Sequence, residues 1–139
     1  MKKTIKTATL IILMGLFMGP IFQSCKKYPE NPLIVMKSRS ERVANTWKVD
    51  TVKKNGDDYT SFLQGYSETY IKNGAYSYQW GLANGSGVWE FQNKDKEIKL
   101  TGNDGHSSRT LFIEKLQEND FWYYYFDGND KYVVHLITK

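Results

Sequence analysis

The chain is poor in the residues that build several familiar kinds of site: its 139 residues include one cysteine, two histidines and three prolines. The lone cysteine, Cys25, cannot close an intrachain disulfide. With no second thiol to join them, His106 and His135 do not make up the ligand set of a zinc site. His106 sits in a glycine-containing turn and reads as a solvated loop residue, whereas His135 alternates with Val133 and Ile137 and reads as a hydrogen-bonded strand residue. No proline follows Pro32. Proline cannot donate to a sheet ladder, so its absence over the remaining chain suits uninterrupted strand pairing. Charged residues are 24% of the chain and aromatics 15%, a balance that argues against intrinsic disorder. The length predicts one domain.

The net charge of +4 is largely a property of the first residues. Lys2, Lys3 and Lys6 precede an uncharged run from Ala8 to Phe22, the order of a basic n-region and an apolar h-region in an export signal. The run holds Gly15, Gly19 and Pro20 and is shorter than the roughly 20 apolar residues a membrane-crossing helix needs. Without residues 1–24, 16 basic residues stand against 15 acidic ones. No basic patch is then left as a footprint for nucleic acid. Phe22-Gln23-Ser24-Cys25 closes the run and resembles the lipobox of bacterial lipoproteins. Phe22 and Gln23 stand where the commonest box has leucine and a small residue, and looser boxes of this kind resemble those of Bacteroidetes lipoproteins. The resemblance implies cleavage before Cys25 and acylation of its thiol; the plainer alternative is a secretory signal that ends beside a cysteine. Residues 25–40, with Pro29 and Pro32, read as the lipidated cysteine and a tether, and residues 41–139 as the folded domain.

From Thr46 the chain is written in short runs of β-branched and aromatic residues broken by Gly, Asn and Asp. Eight strands are predicted: Thr46 to Lys53, Tyr66 to Lys72, Ala75 to Leu82, Gly87 to Gln92, Lys96 to Thr101, Ser108 to Leu116, Phe121 to Phe126 and Lys131 to Thr138. Asn73-Gly74 predicts a tight hairpin, because both residues tolerate positive φ. Except for residues 54–65, the connections are too short for a parallel crossover, so neighbours pair antiparallel. Closing such a meander removes its two exposed edges. The expected fold is all-β, an eight-stranded antiparallel up-and-down barrel with at most one short N-terminal helix, at Ser38 to Ala44.

Asn45-Thr46-Trp47, Tyr70-Ile71-Lys72-Asn73-Gly74-Ala75-Tyr76, Gly87-Val88-Trp89-Glu90-Phe91 and Ile113-Glu114-Lys115-Leu116 before Asn119-Asp120 are together similar to the small lipocalin-like lipoproteins of Bacteroidetes. Lipocalins open their first strand with Gly-x-Trp; Asn45 replaces that glycine, and Gly87-Val88-Trp89 holds an intact copy in mid-chain. The resemblance covers Glu41 to Lys139. It implies a lipocalin-like barrel with residues 54–65 arching over the open end as a lid, and a small apolar ligand of the kind lipocalins bind.

Eight strands enclose a space that side chains can fill or that holds one small ligand. Alternation places Tyr76, Tyr78 and Trp80 on one face and Trp89 and Phe91 on another. With Trp47, Tyr70, Tyr123 and Tyr125 these are the candidate cavity lining. The strand Phe121 to Phe126 is aromatic on both faces, and alternation does not say which half points inward. Ten tyrosines against seven phenylalanines, of which Phe17 and Phe22 lie in the leader, favour walls that are polar at one end, since a buried phenol needs a partner. Both a filled barrel and a partial cavity beneath the lid fit this composition.

Catalytic patterns are missing. Asp127-Gly128-Asn129-Asp130 has Tyr132 where a calcium loop needs glycine. No sequence rule sets Glu68, Glu90 or Glu114 at the spacing of a glycosidase pair. The expectation is a non-enzymatic envelope lipoprotein without metal or cofactor. It would sit on the outer membrane and bind a small apolar or amphipathic ligand. Surface-exported lipoproteins of Bacteroidetes tend to carry acidic residues just after the lipidated cysteine, and Lys26-Lys27-Tyr28-Pro29 offers none, so the resemblance implies the periplasmic face over surface exposure. The alternative is an interaction or inhibitor module, its barrel filled, touching an envelope protein or a glycan through exposed aromatics.

Overall fold

The computed structural model describes residues 37–103 and 108–139. The leader, Cys25, most of the tether and His106 lie outside the described residues. The chain enters through a short helix, α1 (Arg39–Val43), capped by Ser38, whose side chain accepts from Glu41 N–H while the Glu41 carboxylate accepts from Ser38 N–H. The Lys72 ammonium and the Ser38 bonds draw the Glu41 carboxyl down to about 2. Arg42 Nη1 donates to Leu116 O at 2.6 Å, so α1 rests against the end of the barrel that carries Lys72 and Leu116.

The strands follow in order: β1 (Thr46–Lys54), β2 (Asp57–Asp58), β3 (Ser67–Tyr70), β4 (Ala75–Trp80), β5 (Ala83–Gln92), β6 (Glu97–Gly102), β7 (Arg109–Leu116), β8 (Asp120–Asp127) and β9 (Asp130–Thr138). All pairings are antiparallel between neighbours, and β1 also pairs with β9, which closes the sheet. Eight strands make the wall; the two-residue β2 is a flap on the far end of β1, where Lys53 pairs with Asp58 and Lys54 with Asp57. The fold is therefore the antiparallel barrel that the turn spacing and missing prolines predict.

Two details differ from the sequence reading. Asn73-Gly74 does not form a two-residue hairpin. Tyr70 pairs with Tyr76, only Gly74 has positive φ (93°), and Asn73 Oδ1 instead accepts from Ala75 N–H at 3.0 Å. The Asn-Gly pair that does form a two-residue turn is Asn55-Gly56, both with positive φ (52° and 97°), inside the stretch read as one long connection. The turn 71–74 is tied down from across the sheet: Trp89 Nε1 donates to Ile71 O at 2.9 Å and Trp89 N–H to Gly74 O at 2.8 Å.

Val43, Trp47, Trp89, Leu116 and Phe121 fill the α1 end of the barrel, with Trp47 wholly buried and donating through Nε1 to Val43 O at 2.9 Å. Ile98, Leu100, Leu111, Val134 and Leu136 line the middle. Gly87 is required where β5 crosses β6, because a Cβ there would lie 2.1 Å from Thr101 O. Register shifts at Asp50 in β1 and Glu114 in β7 are β-bulges. They switch the inward set from Trp47 and Val49 to Val52, and from Leu111 and Ile113 to Leu116.

Candidate functional site

Antiparallel order places the β1–β3 connection, the β4–β5 and β8–β9 turns and the start of β7 at the end opposite α1. The connection is folded as a lid. After β2, Asp58 Oδ1 accepts from Thr60 N–H at 2.9 Å, and Thr60 Oγ1 accepts from Val52 N–H at 3.0 Å. A 3-10 turn over Thr60–Leu63 then carries Leu63 inward against the core, while Phe62 stays 62% exposed and stacks on Tyr59.

Beneath the lid is a carboxylate that sequence reasoning did not place. Glu68 has no solvent exposure, because it lies between Tyr66 and Tyr70 on the inward parity of β3. Burying a carboxylate costs several kcal/mol on the scale of about 20 for an unrelaxed ion, unless its lone pairs are met. Here Tyr66 Oη donates to Oε1 at 2.7 Å, Tyr70 Oη to Oε2 at 2.7 Å and Tyr123 Oη to Oε1 at 3.1 Å. Tyr76 Oη approaches Oε1 at 3.4 Å. Arg109, on the inward parity of β7, sets Nη2 3.7 Å from Glu68 Oε1 and donates from the same atom to Tyr66 Oη at 3.1 Å. Its guanidinium lies 4.7 Å from the centre of the Tyr125 ring.

Burial first, and then the Glu68 charge, push the phenols of Tyr66, Tyr70, Tyr76 and Tyr123 well above their ordinary value. A tyrosine whose ionisation is suppressed only in the folded state stabilises the fold fully below its unfolded pKa of about 10; that contribution is lost as pH rises further. We expect tyrosinate absorbance at 295 nm to rise in two phases, the second, from the buried four, only together with the loss of near-ultraviolet dichroism. A single smooth phase with the fold intact would contradict the burial of this group.

The interior is nearly full. A cavity of about 40 Å³ remains under the lid, bordered by Val49, Leu63, Tyr66, Arg109, Tyr123, Tyr125 and Val134. At about 10–15 Å³ each, two or three waters fit, or one carboxylate group. A depression of about 460 Å³ lies on the outer side of β3, β4 and β5 and is walled by short polar side chains such as Thr69, Ser77 and Ser86. Of the candidate lining residues, Tyr123 and Tyr125 border the inner cavity. Tyr70 and Tyr76 lie one layer deeper, bonded to Glu68. Tyr78 and Phe91 are partly buried against the core, and Trp47 and Trp89 belong to the α1 end. Trp80 is 45% exposed beyond the rim and does not line the interior. In β8 the inward half is Phe121, Tyr123 and Tyr125; outside, Trp122 stacks on His135, and Tyr124 on Phe112. His135 is held between Asp50 and Asp120 on the outer wall. Among the described residues no group of acidic, histidine or cysteine side chains is arranged to hold a metal ion.

No protein-family model matches this sequence, and no curated protein does. Among solved structures, a lipocalin-like protein from Bacteroides uniformis superposes with a TM-score of 0.54 at 14% identity, over 70% of this chain and 99% of that one. The fold is lipocalin-like. A DUF4847 family protein from Bacteroides vulgatus has the same architecture, with a TM-score of 0.51 at 11% identity over 70% of this chain and 94% of the other. The two solved domains thus correspond almost end to end with this lipocalin-like barrel. Within it, Glu68 and Arg109 were readable from alternation with Tyr66 and Tyr70, and with Leu111 and Ile113. What hid them is the ordinary preference of charged side chains for water.

Proposed function

We propose that this protein is a non-enzymatic binding module of the cell envelope. Cys25 carries the lipid, residues 26–40 form the tether with its last turn wound into α1, and the open end of the barrel takes a small amphipathic ligand beneath the lid. The observation that carries the reading is the cavity under Leu63, which joins apolar walls to the Arg109 guanidinium. The rim supports it, since Phe62, Trp80 and Leu82 stand exposed around the same end. Binding of anything longer than a head group requires the Thr60–Leu63 turn to lift. A lipid on Cys25 would hold the barrel on the periplasmic face of the outer membrane.

The exposed rim also favours a second reading, in which the filled barrel is a scaffold and the rim touches an envelope protein or a glycan. That surface would be built from Phe62, Trp80, Leu82 and Phe126, which stand exposed. One preparation tests both. Protein labelled in its own host with a fatty-acid analogue should lose the label in Cys25→Ala. Native mass spectrometry of the labelled protein should show an additional bound small molecule that Leu63→Trp excludes. An unlabelled wild type ends the anchor, and a bare mass shared by both proteins ends the ligand.

A further inference from the structure

The depression on the outer wall holds polar groups that the barrel does not use. Its floor is a grid set by strand register. Thr46, Thr69, Ser77 and Ser86 stand opposite one another on four adjacent strands, and Ser67, Gln79 and Asn84 form a second row on three of them. Neighbours within a row are about 5 Å apart, and the rows are about 7 Å apart. The ends of the first row are engaged: Thr46 Oγ1 and Thr69 Oγ1 share a hydrogen bond of 3.1 Å, and Asn103 Nδ2 donates to Ser86 Oγ at 3.4 Å. Ser67 is different. It lines the depression and is only 9% exposed, yet its hydroxyl has no hydrogen-bond partner among the described residues. A hydroxyl so enclosed and left unpaired bears the cost of its lost hydration, so the site gains when a polar partner enters.

From this grid we infer that the outer depression is a second binding site, separate from the space beneath the lid, and that it takes a neutral saccharide, one or two rings of a glycan chain lying along the wall. Each hydroxyl of the grid can donate and accept, and each amide offers both functions. The ligand that answers at closely spaced points with donors and acceptors alike is a polyol. An anion would leave the acceptors unmet, and the one charged side chain that lines the depression among the described residues is Lys139. A peptide strand would need a free sheet edge, whereas β3, β4 and β5 are each paired on both sides. Val88, 56% exposed, continues the same face two residues beyond Ser86 and offers apolar contact to the C–H face of a ring. The volume of about 460 Å³ lies within the range of roughly 300–1,000 Å³ usual for small-molecule sites.

Maltotriose, cellotriose and mannotriose are each titrated into the isotope-labelled full chain carrying Cys25→Ser, which cannot be acylated there, and nitrogen-correlated spectra are followed. At millimolar concentration at least one should move the amides of Ser67, Thr69 and Ser77 and the side-chain amides of Gln79 and Asn84, leaving Leu63 and Val134 beneath the lid unmoved. Ser67→Ala removes the unpaired hydroxyl and should weaken that binding about fivefold, the worth of one ordinary hydrogen bond, without lowering the urea midpoint. Ser77→Tyr, which fills the middle of the first row, should abolish it. Shifts with none of the three sugars, shifts centred elsewhere, or binding that both variants leave intact overturns the site. A clearly lowered midpoint in Ser67→Ala would mean that the hydroxyl serves the sheet, and it overturns the assignment as well.

Discussion

Glu68→Ala is expected to cost the barrel about 3–5 kcal/mol, the loss found when one partner of a buried charged pair is removed. The variant strands the Tyr66, Tyr70 and Tyr123 hydroxyls, and it leaves the part-buried Arg109 guanidinium without its anion. With urea slopes of about 1–3 kcal/mol per molar, the unfolding midpoint should fall by roughly 2 M. Two further variants separate unmet polarity from lost packing. Glu68→Gln keeps a carbonyl acceptor and should lose less, since phenol hydroxyls can rotate to meet it. Glu68→Leu combined with Arg109→Leu removes both charges and should recover part of the loss of Glu68→Ala. A Glu68→Ala midpoint within error of wild type would mean that the carboxylate is not enclosed.

Trp47→Ala should be comparably damaging, about 3–5 kcal/mol, because it empties a large volume at the α1 end. Trp47 is wholly buried, and its ring lies 5.6 Å from that of Phe121. It also holds the entering chain through its bond to Val43 O. Trp47→Phe keeps most of the packing and forfeits that bond, a loss on the order of 1 kcal/mol beyond the change in volume. Its signature should be local: faster hydrogen exchange at Arg42 and Ala44, whose amides bond to Ser38 O and Ser40 O. Unchanged exchange there would show that α1 is held by its own capping box and by Arg42 rather than by the tryptophan.

The barrel was legible because each connection obeys a local rule. Short Gly, Asn and Asp turns admit only antiparallel neighbours, and the absence of proline permits closure. Side-chain direction was less legible, because one extra residue reverses it. Asp50 and Glu114 are such residues, and their bulges depend on pairing with β9 and β8, which no window of the sequence contains. The inward half of β8 depended in the same way on its partners, Val134 and Leu136. Trp80 follows the alternation of β4, but the strand outruns the barrel, so the ring emerges at the rim. Asn55-Gly56 and Asn73-Gly74 carry one local signal; strand register decided which became the two-residue turn. The excess of tyrosine pointed to an interior polar at one end. Its cause, a carboxylate on β3 facing an arginine on β7, joins residues that only the closed sheet brings together.

The most direct test of the account is a map of amide shifts as octanol, a small amphipathic probe, is added. It predicts the largest changes at Val49, Leu63, Tyr66, Arg109, Tyr125 and Val134, with Val43, Trp47 and Leu116 at the α1 end unmoved. Changes centred on the outer face at Ser77 and Ser86, or at the α1 end, would contradict it.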